Sequence, residues 1–236
     1  VCSSDLVRPG SVTPLLMFDA RLQNLSDSKR LIQNRSQVHL YHGAAVLLAK
    51  VILLDREELR PGDSCYAQLR LDEPLAAKVG DRFVIRFYSP LETIGGGVIL
   101  DDAPLKHRRG NPALLAALKI RESGSDSERL LQAIAGFGSE MPLKALIASR
   151  LPLAEADFER ELPALLAEGK VRELIPGRYL AADLLAQISE HCRELLLAYH
   201  QVNPLHPGIK IAELRQKMFP DFDLPAADAI FNELLA

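Results

Sequence analysis

The residues that could do chemistry in this chain are few and form no catalytic pattern. A nucleotide-phosphate site needs a glycine-rich loop ending in Gly-Lys and then Ser or Thr, because backbone amides and the lysine hold the phosphates. The chain has one Gly-Lys pair, Gly169-Lys170, and Val171 follows it. We interpret this pair as a turn after a helix. The sequence therefore predicts no catalytic residue and no cofactor site.

The histidines and cysteines predict no metal site either. His39 and His42 would point to opposite faces of a strand. His191 and His200 stand nine residues apart, with no carboxylate or thiol arranged beside them. The three cysteines are few, odd in number and far apart, which fits a reducing cytosol and excludes a disulfide framework; they are Cys2, Cys65 and Cys192.

The amino-acid composition is typical of an ordinary globular protein. Hydrophobic residues make up 48% of the 236 positions, charged residues 25%, and the net charge is −3. This length favours two or three compact units. The sequence contains no uninterrupted run of about 18 apolar residues, so it predicts no membrane span. Because the net charge is slightly negative, any contact with nucleic acid has to come from a local basic patch.

Residues 59–100 carry the strongest β-strand pattern. Polar and apolar residues alternate from Cys65 to Asp72, and the alternation resumes from Arg82 to Phe87. Pro61-Gly62-Asp63 and Val79-Gly80-Asp81 supply turns. Further strand-like runs lie upstream, at 15–18, 37–42 and 44–54. Five or six short strands predict a small closed barrel over residues 11–102.

The barrel pattern also predicts core residues. We expect Leu16, Val46, Leu48, Leu69, Val84 and Ile85 to be largely buried. Since Val84 and Ile85 are adjacent, one of them should lie against a neighbouring domain or loop. Gly95-Gly96-Gly97 inside an apolar strand predicts a bend or a close approach by another backbone. The alternative is that this strand lies close to an RNA backbone.

Beyond a linker at 103–123, which includes a short helix, the sequence becomes rich in Ala and Leu. Helix signals predict three helices and a hairpin at Ile175-Pro176-Gly177, which is the winged-helix order. This first winged-helix unit spans 124–182, and a second, truncated one spans 183–236. The fold class is therefore multi-domain, with an all-β closed antiparallel barrel followed by α+β winged-helix repeats.

The motifs P-G-D, D-E-P-L, G-D-R-F-V-I-R and T-I-G-G-G-V, in that order, resemble the third domain of elongation factor Tu-like translational GTPases. The winged-helix stretch that follows narrows the resemblance to the bacterial selenocysteine-specific elongation factor family. The resemblance covers residues 11–236, most firmly 59–100. It implies a C-terminal fragment of a factor that delivers selenocysteyl-tRNA to the ribosome at a recoded stop codon.

The resemblance also implies the partners. The intact protein would be a cytoplasmic, monomeric GTPase with no membrane contact, holding GTP and Mg in an N-terminal domain absent here. An mRNA stem-loop would bind through downstream winged-helix units that are also missing.

Residues 1–10 are expected to be residual or artefactual, because Val1–Leu6 is also what a sequencing adapter end would encode. The chain stops inside a helical pattern at Ala236, which favours a fragment.

Candidate RNA contacts follow from the resemblance and from local charge. The resemblance places tRNA near the end of the strand at 82–87, with Arg86, Tyr88, Ser89 and Gly96 as candidates. Basic residues of the linker and of the hairpin, or wing, could add non-specific contacts; they are Lys106, Arg108, Arg109, Lys170, Arg172 and Arg178.

The predicted third helix of the first winged-helix unit argues against RNA binding there. It carries one basic residue, Arg160, among five acidic ones, which are Glu155, Asp157, Glu159, Glu161 and Glu168. Carboxylates facing phosphates would repel them, so we interpret this unit as a spacer or a protein-contact module. The alternative function for the whole chain is a barrel plus winged-helix adaptor of transcription or protein interaction, outside translation.

Overall fold

The computed structural model describes residues 14–87, 92–102, 104–151, 153–205, 208–219 and 223–235. They form two compact units, one ending at Ser123 and the other beginning at Gly124. We call them the barrel unit and the helical unit.

The barrel unit contains eight described strands, β1 Pro14–Asn24, β2 Ile32–Gln33, β3 Gln37–His42, β4 Ala45–Leu53, β5 Glu58–Leu59, β6 Ser64–Ala76, β7 Arg82–Arg86 and β8 Thr93–Asp101. Six of them close into an antiparallel barrel in the order β1-β6-β4-β3-β7-β8, and β8 pairs back with β1. The short strands β2 and β5 pair with each other. The predicted closed antiparallel barrel is confirmed.

Alternate residues of these strands fill the barrel. Phe18, Leu40, Leu69 and Ile85 are fully buried in one hydrophobic cluster. Phe18 packs edge-on against Phe83, with ring centroids 5.3 Å apart. Period-two alternation of apolar side chains, the pattern that predicted the strands, therefore makes this core.

The predicted core list was correct for Leu69 and Ile85, and Leu48 is half-buried. It was wrong for Leu16, Val46 and Val84, which are 58%, 51% and 43% exposed. Val84 points outward because its neighbour Ile85 points inward. Val46 lies opposite Tyr41 on the outer face, and Leu16 lies where the pairing of β1 with β6 shifts register.

A helix completes the barrel unit. This helix, α1 Pro112–Ser123, begins after Asn111, whose Oδ1 accepts a hydrogen bond from the Ala113 amide at 3.1 Å. Its leucines pack on the outside of the barrel in a second cluster, which contains Leu54, Tyr66, Leu100, Leu114, Leu115 and Leu118. Leu118 is fully buried there, so α1 is an integral part of this unit.

The helical unit begins with a winged-helix arrangement. Its elements are α2 Asp126–Gly136, α3 Lys144–Ser149, α4 Glu155–Ala167, β9 Val171–Ile175 and β10 Arg178–Ala181. Ser125 caps α2 in a reciprocal capping box with Glu128, as its Ser-x-x-Glu spacing indicates. The strands β9 and β10 pair antiparallel as the wing. The predicted order of helices and hairpin is confirmed.

Three further helices follow, α5 Ala182–Val202, α6 Ile211–Met218 and α7 Leu224–Leu235. Their core contains Leu214, Ile230 and Phe231, and it also takes in Met141 and Leu180 from the first winged helix. The two winged-helix parts therefore share one hydrophobic cluster. Among the helices that the structure describes, none combines the length and the apolar character that crossing a bilayer requires.

Candidate nucleic-acid interface

Cross-strand pairing brings basic side chains together on the outer surface of the barrel. Arg86 of β7 lies opposite His39 of β3. In the next row, Lys50 of β4 lies opposite Arg70 of β6 and Gln37 of β3. Residues two apart on one strand face the same side about 6.6 Å apart. We call His39, Lys50, Arg70 and Arg86 the outer basic face.

Arg86 also lies beside an aromatic ring. Its guanidinium carbon is 5.6 Å from the ring centroid of Tyr41, within the range of a cation–π contact. Lys50 is exposed, while His39, Arg70 and Arg86 are half-buried. The Arg70 Nε donates to Gln68 Oε1 at 3.0 Å. The face thus offers partly oriented positive charge and one aromatic surface, which are the components that bind RNA backbones and bases.

Sequence reasoning found Arg86 but missed His39, Lys50 and Arg70. These residues come from three strands, and each alternates with apolar neighbours that signal only a half-buried strand. Their proximity depends on the pairing register, which no single strand reveals.

Gly96 belongs to β8, where it lies between Val84 of β7 and Gln23 of β1. It lines an open groove of about 610 Å³ that Arg21 and Arg82 also line. The other two tRNA candidates, Tyr88 and Ser89, lie outside the described residues.

The three glycines are required by the packing of neighbouring strands. A Cβ built on Gly96 would stand 2.5 Å from the Phe83 carbonyl oxygen, and one on Gly97 would stand 2.9 Å from Phe83 Cζ. A Cβ on Gly95 would meet the carbonyl of Gln23. The close approach expected for this triplet is confirmed.

The basic residues after the barrel are only partly available for RNA. Lys106 and Arg108 are exposed. Arg109 forms an ion pair with Glu57, and His107 Nε2 lies 2.9 Å from Asp19 Oδ2. Two of the four residues at 106–109 therefore contact acidic side chains of the barrel unit.

The cations of the wing are also engaged. Lys170 pairs with Glu168 at 2.7 Å, and Arg178 pairs with Asp223 at 3.0 Å. Arg172 is exposed and forms no ion pair with any residue that the structure describes. Ion pairing thus leaves the wing with little positive charge for RNA.

The acidic character of α4 persists in the structure. Arg160 contacts Asp157 at 2.9 Å and Glu161 at 3.0 Å. Lys144 of α3 pairs with Glu159. These contacts engage three of the four carboxylates of α4, and the helix keeps a net negative charge, which does not favour phosphate binding.

Two findings concern enzymatic chemistry. Burial raises the pKa of the Cys65 thiol to about 12, so this cysteine stays protonated and packs in the core. Within the described ranges, no group of three or more His, Cys, Asp or Glu side chains could hold a metal ion.

Comparisons with known proteins point to one family. The family model described as "Selenocysteine-specific elongation factor, beta-barrel domain" matches residues 19–106. The model described as "Elongation factor SelB, winged helix" matches residues 193–236. A selenocysteine-specific elongation factor from Desulfomicrobium baculatum is 32% identical over 224 residues, which cover 89% of this chain and 33% of the relative.

A second selenocysteine-specific elongation factor, from Haemophilus influenzae, is 34% identical over 96 residues, covering 39% of this chain and 16% of that protein. A crystal structure of a bacterial selenocysteine-specific elongation factor, EF-Sec, has the same fold. It covers 97% of this chain at a TM-score of 0.60 and 14% identity, and the chain covers 33% of it. The chain thus spans about a third of the Desulfomicrobium relative. The two family models together match more than half of this chain. The chain belongs to the selenocysteine-specific elongation factor family.

Proposed function

We propose that this chain is part of a factor that delivers selenocysteyl-tRNA to the ribosome at a recoded stop codon. In this proposal the intact protein binds GTP, the tRNA and an mRNA stem-loop in the cytoplasm. The barrel supplies part of the tRNA-binding surface, and the first winged helix serves as a spacer. Family membership supports the general role, and the outer basic face is the observation that supports tRNA binding by the barrel.

The chemistry of the outer basic face favours a nucleic-acid backbone over a small ligand. Its four basic side chains are spread over four adjacent strands of the barrel surface. A surface of this kind can contact successive phosphates along a helix and needs no base-specific hydrogen bonds. We expect its binding to be weak and strongly dependent on salt.

Replacing Arg86 or Lys50 with glutamine should weaken tRNA binding to the full chain. Each lost phosphate contact should lower the slope of log K against log salt by roughly 0.7 to 0.9. Fluorescence anisotropy with a labelled tRNA, measured between low and physiological salt, gives both the affinity and the slope. The melting temperature of each variant shows whether the barrel is intact.

The matched control is Arg172→Gln in the wing, which removes an exposed arginine from the surface assigned to the spacer. We expect its tRNA affinity and salt slope to equal those of the unaltered chain. A loss of binding in this control, with Arg86→Gln and Lys50→Gln unaffected, would contradict the assignment of RNA binding to the barrel. Tight and specific binding of an mRNA stem-loop by residues 103–236 alone would contradict the spacer role.

A second experiment concerns nucleotide binding. The purified chain should neither bind guanine nucleotides at micromolar concentration nor hydrolyse GTP, because its sequence contains no phosphate-binding loop. Isothermal titration with GTP and Mg²⁺ measures this directly. In the proposed function, the GTPase activity belongs to a domain outside this chain. Micromolar binding would show a nucleotide site in the barrel or helical unit.

A further inference from the structure

The segment between β8 and α1 is fastened to the barrel at three points. We call residues 104–111 the strap. Gln68 Nε2 donates to the Leu105 carbonyl at 2.9 Å, and His107 Nε2 lies 2.9 Å from Asp19 Oδ2. The Gly110 amide donates to the Leu54 carbonyl at 2.8 Å. The strap therefore touches β6, β1 and the end of β4 in succession.

The central attachment involves a fully buried carboxyl group. The Asp19 side chain has no exposed surface, and its Oδ1 accepts a hydrogen bond from Gln68 Nε2 at 2.9 Å. Asp101 lies opposite Asp19 on β8 and is itself ion-paired with Arg121. The strap group that lies against the Asp19 carboxyl is the imidazole of His107. A buried carboxylate is costly unless such a partner faces it.

The strap continues directly into α1, which has its own attachments. Tyr66 Oη donates to Glu122 Oε2 at 2.5 Å, and Arg21 pairs with Glu122 at 3.3 Å. Together with the buried Leu118, these contacts hold α1 along the barrel. All six barrel strands, by contrast, pair with one another and use no strap residue for their ladders. The barrel can therefore stay closed when the strap and α1 leave.

We propose that the strap and α1 form a clasp that opens and closes as one unit on a folded barrel, and that the contact between Asp19 and His107 keeps it closed. Without His107, the buried Asp19 carboxylate loses the imidazole that faces it, and lifting the strap would let water solvate it. Local opening of this kind requires far less free energy than global unfolding.

The strap carries its own reporter, because Lys106, Arg108 and Arg109 are cleavage sites for trypsin. Proteases cut segments that open locally, so a fastened strap should resist. In the full chain, His107→Ala should speed cleavage at these residues by about tenfold or more, which corresponds to about 1.4 kcal/mol of opening. Mass spectrometry of timed samples identifies the cut and measures its rate.

Three further measurements separate clasp opening from general unfolding. Hydrogen exchange at Val51 and Leu69 should stay slow in His107→Ala, because these amides lie in the barrel. The control His191→Ala removes an exposed histidine 4.0 Å from Glu194 and should not change the cleavage rate. In Asp19→Asn/His107→Ala the buried charge is gone, so cleavage should slow toward the rate of the unaltered chain.

The proposal is overturned if His107→Ala leaves the cleavage rate unchanged. It is also overturned if Val51 and Leu69 exchange faster in step with cleavage, since the whole barrel would then be opening. Equal cleavage rates in the single and double variants would refute the role assigned to the Asp19 carboxylate.

Discussion

Replacing Gly97 with alanine is expected to destabilise the barrel by about 3 kcal/mol or more, at the upper end of overpacking costs. The added methyl would lie inside contact distance of the Arg21 carbonyl oxygen and 2.9 Å from Phe83 Cζ. The ring could tilt, but the carbonyl belongs to β1, which pairs with both β6 and β8. Moving it disturbs two ladders at once. Urea unfolding followed by circular dichroism measures the loss.

The helical unit offers a matched control for that experiment. Gly136 ends α2, and a Cβ built there meets no atom within 4 Å. Gly136→Ala should leave stability unchanged or raise it by up to about 1 kcal/mol. If Gly97→Ala were tolerated as well as Gly136→Ala, the glycine strand would have room that its packing does not indicate, and the close approach would not explain the triplet.

The second large effect is a pH dependence that comes from Asp19. Burial raises the pKa of this carboxyl from 3.8 to about 6, while Gln68 and His107 favour its ionised form. Between those two pH values the folded state binds more protons than the unfolded state. The contribution of Asp19 to stability is therefore fully present below pH 3.8 and is lost as the pH rises through 6. The difference amounts to at most about 3 kcal/mol.

Comparison with Asp19→Asn isolates this contribution. The unfolding free energy of the unaltered chain, minus that of the variant, should fall as the pH rises from 4 to 7. Carbon-13 NMR of the carboxyl group should show a midpoint near pH 6. Gln68→Ala should move that midpoint upward, because it removes a hydrogen bond that favours the carboxylate. A midpoint near 4 in the unaltered chain would contradict the prediction.

Local pattern predicted the strands well and their surroundings poorly. Tyr66 and Gln68 belong to the polar set of an alternating strand, and such residues are expected in solvent. Both are buried, because the strap and α1 cover that side of β6. Nothing in residues 64–76 indicates the cover, which comes from a segment some forty positions later.

The site shows the same division. Arg86 was identified by resemblance, whereas His39, Lys50 and Arg70 are brought beside it only by strand register. The basic run at 106–109 looked like a patch for RNA, but His107 and Arg109 contact acidic residues of the barrel unit. Which cations remain available depends on where distant carboxylates lie, and that is a property of the folded chain.

The direct passage from β10 into α5 restricts how this family member can change length over evolution. β10 ends at Ala181 and α5 begins at Ala182, and Leu180 and Leu185 lie in the same cluster on either side of the junction. One inserted residue would turn the whole of α5 by about 100° relative to the wing. Its apolar stripe would then leave the shared cluster. Among related sequences, insertions and deletions should therefore be common after Asn203 and rare at the junction of β10 and α5.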